Sequence, residues 1–211
     1  MTQNMKKILT SLLLIICAVS VMAQNNENCF GIIAGRAATV NGEVLMGHNE
    51  DDAGEQMLNI YIVKNNAELG TAKYIWAEFP RMEQADALMN EHGVCVASDG
   101  CSSKEDIEDF TNGGILYDVR INIAKYATSA RHAAELIGEM VVKYGYRGSG
   151  RTYLVADPTE GWIVSVVKGR HWVAQRVPDD KVMIIPNYYV IDKVDLSDKN
   201  NFLGSPDLID Y

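Results

Sequence analysis

The 211-residue sequence predicts an α+β domain, and three features of its apolar patterning carry that expectation. Short strand-like segments occupy residues 30–98. Two stripes of helical period follow within 114–144. Strand-like segments resume from 151 to 186. Strands, a helical pair and strands again fit layered α+β packing, whereas a parallel sheet would need regular alternation. No internal repeat, low-complexity tract or Pro/Ser linker interrupts the chain.

The N-terminal stretch stands apart from that domain. Lys6 and Lys7 precede an uncharged, mostly apolar run over 8–21, and Val21-Met22-Ala23 has the small-residue character of a cleavage site. This reads as a secretory signal peptide over 1–23, too short for a membrane span of about 20 residues. A lipoprotein reading through Cys17 is disfavoured by the bulky Ile16 before it. Residues 24–28 form a polar stub that must leave as a propeptide if Cys29 is to become the first residue. The expected product is secreted or periplasmic, with no membrane association once the signal is cut.

Residues 30–40 and 43–48 flank Asn41-Gly42, a strong two-residue hairpin signal. Such a turn would set Cys29 opposite Gly54 and bring 48–52 within roughly 10–15 Å of the thiol, at ~3.3 Å of rise per residue. It would also turn His48, Glu50 and Asp52 to the Cys29 face and Asp51 away, a choice one bulge reverses. Spacing alone equally fits a solvated acidic strand end. Residues 58–63 and 73–79 read as further strands, and 93–98 as a short buried one after the turn-like Asn90-Glu91-His92.

Leu116, Val119, Ile123, Tyr126 and Ala127 form one helical stripe; Ala133, Leu136, Ile137, Met140 and Val141 form the next. Residues 128–131 divide them, with Ser129 a candidate N-cap. Strands are then predicted over 151–156, 161–167, 171–177 and 182–186, with turns at Asp157-Pro158 and Lys168-Gly169. Trp162 and Trp172 fall on adjacent strands and read as packing residues.

Charge and cysteine content narrow the function. The net charge is −9, and about −10 once Lys6, Lys7 and Glu27 leave with the first 28 residues. An acidic chain argues against nucleic acid and anionic membrane as partners. Cys29, Cys95 and Cys101 remain beyond the signal segment. An odd count suggests a free thiol, with Cys95 and Cys101 able to bridge only if the chain turns at Ser98-Asp99-Gly100. His92, His132 and His171 lack partners at metal-ligand spacing and read as turn or surface residues. The glycines of 145–150 lack a following lysine and form no P-loop. No metal and no nucleotide cofactor is expected.

Cys29 carries the chemistry. A cysteine at a chain terminus has its own base, since a free α-amine titrates near ~8 and can take the thiol proton. Cys29-Phe30-Gly31, followed by Gly47-His48-Asn49-Glu50-Asp51, resembles the start of mature N-terminal-nucleophile (Ntn) cysteine hydrolases of the dipeptidase A and secernin type. The chain is more distantly similar to bile salt hydrolases and penicillin V acylases. Asn90-Glu91-His92-Gly93-Val94, Asp157 through Trp162, residues 172–180 and Ile185-Pro186-Asn187 match further family segments in order. Together they extend the resemblance over about 29–210.

The resemblance implies an αββα four-layer sandwich, autocatalytic loss of the propeptide, and amide hydrolysis by Cys29. By position, Asp51 matches the aspartate that holds the nucleophile's amine, and Asn187 an asparagine near the oxyanion or amine site. His48 stands where bile salt hydrolases carry arginine. A second oxyanion asparagine of the acylase branch falls near Gly100, which has no side chain. The implied substrate is a dipeptide or short peptide. Two alternatives remain: an N-acyl amidase of the bile-acid or penicillin type, and a non-catalytic exported binding module. Relatives of this type run longer, so 29–211 reads as the N-terminal part of a longer, C-terminally truncated domain. Oligomeric state is left open, a homo-oligomer included.

Overall fold

The structure is a computed structural model that describes residues 29–51, 57–78, 85–105 and 107–210, with backbone only at 85–88. The signal and propeptide segments expected over 1–28, and Asp52 and Gly54 of the predicted hairpin, lie outside the described residues.

Eleven strands and two α-helices make up the described chain. Strands β1 (Phe30–Ala34) and β2 (Leu45–Asn49) are followed by β3 (Asn59–Val63), β4 (Tyr74–Glu78), β5 (Ala85–Asn90) and β6 (Cys95–Gly100). Helices α1 (Asp118–Tyr126) and α2 (Ala130–Tyr144) come next. The chain then forms β7 (Tyr146–Ala156), β8 (Gly161–Gly169), β9 (Trp172–Arg176), β10 (Val182–Pro186) and β11 (Phe202–Gly204). Two antiparallel sheets result: a small one in the order β10-β1-β2 and a large one in the order β11-β9-β8-β7-β6-β5-β4-β3.

The α+β class holds, and its layers follow from strand alternation. On β7 and β8, Tyr153, Val155, Trp162 and Val164 face the helices, while Leu154 and Ile163 face the small sheet. The first set packs with Val119, Ile123, Ala133, Ile137 and Val141 of the helices. The second packs with Ile33, Val177 and Ile185. Strands apolar on both faces are what a central sheet layer requires. The described residues thus make three of the four layers that αββα implies: helix, sheet and sheet. The outer face of the small sheet carries Phe30, Leu45, Val182 and Ile184 in solvent. No helix among the described residues is long and apolar enough to cross a membrane.

Local signals account for most boundaries. Ser129 caps α2 by accepting from the His132 N–H, satisfying a donor that the first turn leaves open. Gly145 closes α2 at φ 75°, in the region that only glycine enters at little cost. Gly138 lets α2 settle on β9, because a Cβ there would run into the Trp172 ring. Trp162 and Trp172 are both core residues, as their strand positions predict.

One expectation is corrected. The β1–β2 connection is not a two-residue turn: it spans residues 35–44 and includes a 3-10 turn over Arg36–Ala38. Phe30 pairs with Asn49 and Gly31 with His48, a shift of four residues from the predicted register. Gly42 still adopts a positive φ of 74°. The turn at Ser98-Asp99-Gly100 that a Cys95–Cys101 bridge requires is not formed, since β6 runs straight through those residues. An extended strand holds Cys95 and Cys101 roughly 20 Å apart, and no bridge spans that distance. Cys29, Cys95 and Cys101 are all free thiols. Strands β5 and β11 are additional to the sequence reading.

Candidate active site

Cys29 immediately precedes the central strand of the small sheet, and its side chain shares the inward face of Ile33. The two flanking strands deliver its neighbours. Phe30 pairs with Asn49 on β2 and with Pro186 on β10, so the next residue out on each flank, Glu50 and Asn187, closes on Cys29 from either side. The third wall is the large sheet, where β6 ends at Asp99 and Gly100. The thiol is buried at 6 % exposure.

The contacts are direct. The Cys29 thiol donates to Glu50 Oε1 at 3.6 Å, and the backbone N–H of Asp51 donates to Cys29 Sγ at 3.4 Å. Asn187 also donates from its side chain to the sulfur. A second bond, from Asn187 Nδ2 to the Gly100 carbonyl at 3.1 Å, fixes that amide. Gly100, which has no side chain, therefore contributes its carbonyl to the site. It orients Asn187 from the opposite sheet.

Behind these groups lies a buried polar contact. His48 Nε2 is 2.8 Å from Asp99 Oδ1 and 3.9 Å from Glu50 Oε2. The His48 and Asp99 side chains are 4 % and 0 % exposed, so each polar group depends on its partner far more than on water. Cys101 sits just beyond, its thiol donating to Thr152 Oγ1 at 3.3 Å.

Electrostatics keep the Cys29 thiol protonated in this state. Burial pushes its pKa up first, and the charges of Glu50 and Asp99 add to that. The Asp51 N–H and the Asn187 amide work the other way, and the result is a pKa pushed up to about 11. A thiol so placed reacts only if a base takes its proton as it attacks.

All four residues singled out in the sequence converge: Cys29, His48, Asp51 and Asn187. For the described residues the predicted faces hold despite the changed register, because a shift of four is even and leaves His48 and Glu50 on the face expected of them. His48 and Glu50 point inward with Cys29, and Asp51 reaches the sulfur through its backbone alone. Asp99 was missed. Its signal was a lone acidic residue at the end of the otherwise apolar or small run Val94–Ser98, where burial demands a partner. Among the described residues, no group of three or more His, Cys, Asp or Glu is arranged to hold a metal.

The family model described as "Peptidase family C69" matches residues 28–211. A probable dipeptidase of Latilactobacillus sakei is 26% identical over 212 residues, covering 87% of this chain and 44% of its own. A probable dipeptidase B of Streptococcus pyogenes serotype M1 is 26% identical over 229 residues, covering 96% and 46%. Dipeptidase A of Lactobacillus helveticus is 34% identical over 106 residues, covering 49% and 22%. The chain thus spans under half the length of these curated relatives. Among solved structures, a penicillin V acylase from Agrobacterium tumefaciens aligns with a TM-score of 0.36 at 11% identity, covering 76% of this chain and 41% of that one.

Proposed function

The chain belongs to peptidase family C69, and from that premise we propose that it is an exported cysteine dipeptidase, or the nucleophile-bearing part of one, matured by exposing Cys29 as its first residue. The observation that carries this reading is the meeting of Glu50, the Asp51 N–H and Asn187 on one buried thiol. A structural cysteine needs no such collection of polar neighbours. The dipeptidase names of similar proteins support the substrate class. The charged, apolar and small-residue regions of 1–23 support export.

The mechanism follows from these positions. Once the Asn28–Cys29 bond is cut, the α-amine of Cys29 takes the thiol proton, and Sγ attacks the carbonyl carbon of the scissile peptide. The tetrahedral oxyanion draws N–H donors from the wall that now serves the sulfur, the Asn187 amide and the Asp51 backbone. The protonated amine passes its proton to the leaving nitrogen, and water resolves the thioester. By its family match Asp51 is assigned to the ammonium, and His48 anchors the Glu50 and Asp99 carboxylates behind the thiol.

The test combines intact mass with turnover. The secreted protein should begin at Cys29, hydrolyse dipeptides in preference to N-acyl amino acids, and lose both maturation and activity in Cys29→Ala. A terminus at Gln24 with full activity, or a Cys29→Ala protein that matures and turns over normally, sinks the proposal.

A further inference from the structure

Before maturation the nitrogen of Cys29 is a peptide nitrogen, bonded to Asn28, and has no lone pair free to accept a proton. The base that the mature enzyme would use does not yet exist. The first cut must still deprotonate a thiol that its surroundings hold protonated through neutral pH. Some other group has to take that proton.

We propose that Glu50 is this group: the general base for release of Cys29, with a task separate from that of the α-amine in later turnover. The inference rests on the reading of Cys29 as a matured N-terminal nucleophile. Glu50 Oε1 is the carboxylate oxygen that the thiol contacts, at 3.6 Å, and it is delivered by the same register that pairs β1 with β2. Neighbouring candidates are turned elsewhere. Asp99 is engaged by His48 at 2.8 Å, Asp51 meets the sulfur through its N–H, and the Asn187 amide is a donor. His48 Nε2 lies 3.9 Å from the other oxygen of Glu50, which steadies that carboxylate against the thiol.

The step balances without any added reagent except water. Glu50 takes the thiol proton as Sγ attacks the carbonyl carbon of Asn28. The bond from that carbon to the Cys29 nitrogen breaks, and the nitrogen accepts the proton from Glu50. An Asn28 thioester on Cys29 remains, with a free α-amine beside it. Water hydrolyses the thioester, leaving an Asn28 carboxylate and restoring the thiol. From then on the α-amine is the nearer base.

The full chain carrying Glu50→Gln tests this by intact mass over time. Scission at Cys29 should slow by about 100-fold or more, the span typical of a lost general base. In parallel, a chain whose residues 24–28 are replaced by an exogenous protease site, cut to begin at Cys29, reports dipeptide turnover. There Glu50→Gln should cost at least tenfold less than it costs maturation. Unimpaired maturation in Glu50→Gln overturns the proposal, as does an equal loss in both assays. If Glu50→Gln melts far below the parent, Glu50→Ala decides the matter: added formate should restore scission, and failure to do so overturns the role. A parent chain that never begins at Cys29, or a Cys29→Ala chain that does, overturns the nucleophile reading itself.

Discussion

His48 Nε2 and Asp99 Oδ1 meet at 2.8 Å across the seam between the two sheets, one from β2 and the other from β6. Beyond the polar groups around Cys29, that seam is an apolar cluster of Ile33, Leu154, Ile163, Val177 and Ile185. A buried polar contact among apolar neighbours is worth little against a hydrophobic substitute, but it is costly to break from one side. Asp99→Ala should therefore destabilise the domain by about 3 kcal/mol, and Asp99→Asn, which keeps a hydrogen-bonding side chain, by clearly less. Urea unfolding measures both. Two variants of equal stability would show that the pair contributes nothing specific.

The Cys29 thiol should titrate late in the chain that still carries residue 28. Its alkylation rate, followed by peptide mass mapping, should climb with pH toward a half-maximum near about 11. A folded pKa above the unfolded value of ~8.5 means the fold favours the neutral thiol. That stability is complete below ~8.5 and fades as pH rises through about 11. Asp99→Asn removes a negative neighbour, so it should move the alkylation profile to lower pH. A profile that stays put would remove Asp99 from the electrostatics of the sulfur.

Asp157 ties the β7–β8 turn to the start of α2. One carboxylate oxygen accepts from the Thr159 N–H, the Thr159 hydroxyl and the Glu160 N–H, and the other from the Ala130 N–H. Burial pushes its pKa up, but these donors outweigh burial and hold it below the usual carboxylate value. The stability it adds is therefore present above ~3.9 and lost as pH falls through the depressed folded value. Asp157→Ala should cost about 2–3 kcal/mol at neutral pH, with the gap to the parent closing in acid. A gap independent of pH would contradict the assignment.

Gly138 sits in the middle of α2, where alanine is normally the better helix former by about 1 kcal/mol. Here the added methyl meets the Trp172 ring. Gly138→Ala should lower stability by about 1–3 kcal/mol, the usual cost of overpacking. A rise in melting temperature would mean that α2 can lift from β9 freely.

The straight run of β6 makes a chemical prediction about Cys95, at its start, and Cys101, just past its end. Unfolded under non-reducing conditions, the chain from Cys29 onward should take up three alkyl groups, one each at Cys29, Cys95 and Cys101. Uptake at Cys29 alone would mean that a bridge forms between the other two.

Period and punctuation made much of this fold legible. The stripes of 114–144 became two helices divided at the Ser129 cap, and the four strands of 151–186 are all present, though β7 starts five residues before the expected 151. The hairpin carrying Cys29 was legible in its faces and not in its register. A Gly at positive φ marks where a chain can turn, while the length of the connection is decided by what the 35–44 segment bonds to. Gly35 and Ala37 donate backbone N–H groups to the carbonyls of Lys181 and Asp179, partners distant in the chain. Asn187 was nameable only through resemblance. Its contact with Gly100 is tertiary, and local pattern carries no trace of it.

The placement of β1 between β2 and β10 also sets an order of events in time. Glu50 reaches Cys29 through a local hairpin, but Asn187 arrives only with β10, from near the far end of the described chain. Contacts between such distant residues close late in folding. A chain still emerging, or one that has lost its tertiary structure, therefore holds a thiol without a site. The polar surroundings of the Cys29 thiol are therefore a product of the completed sheet and not of the local hairpin alone.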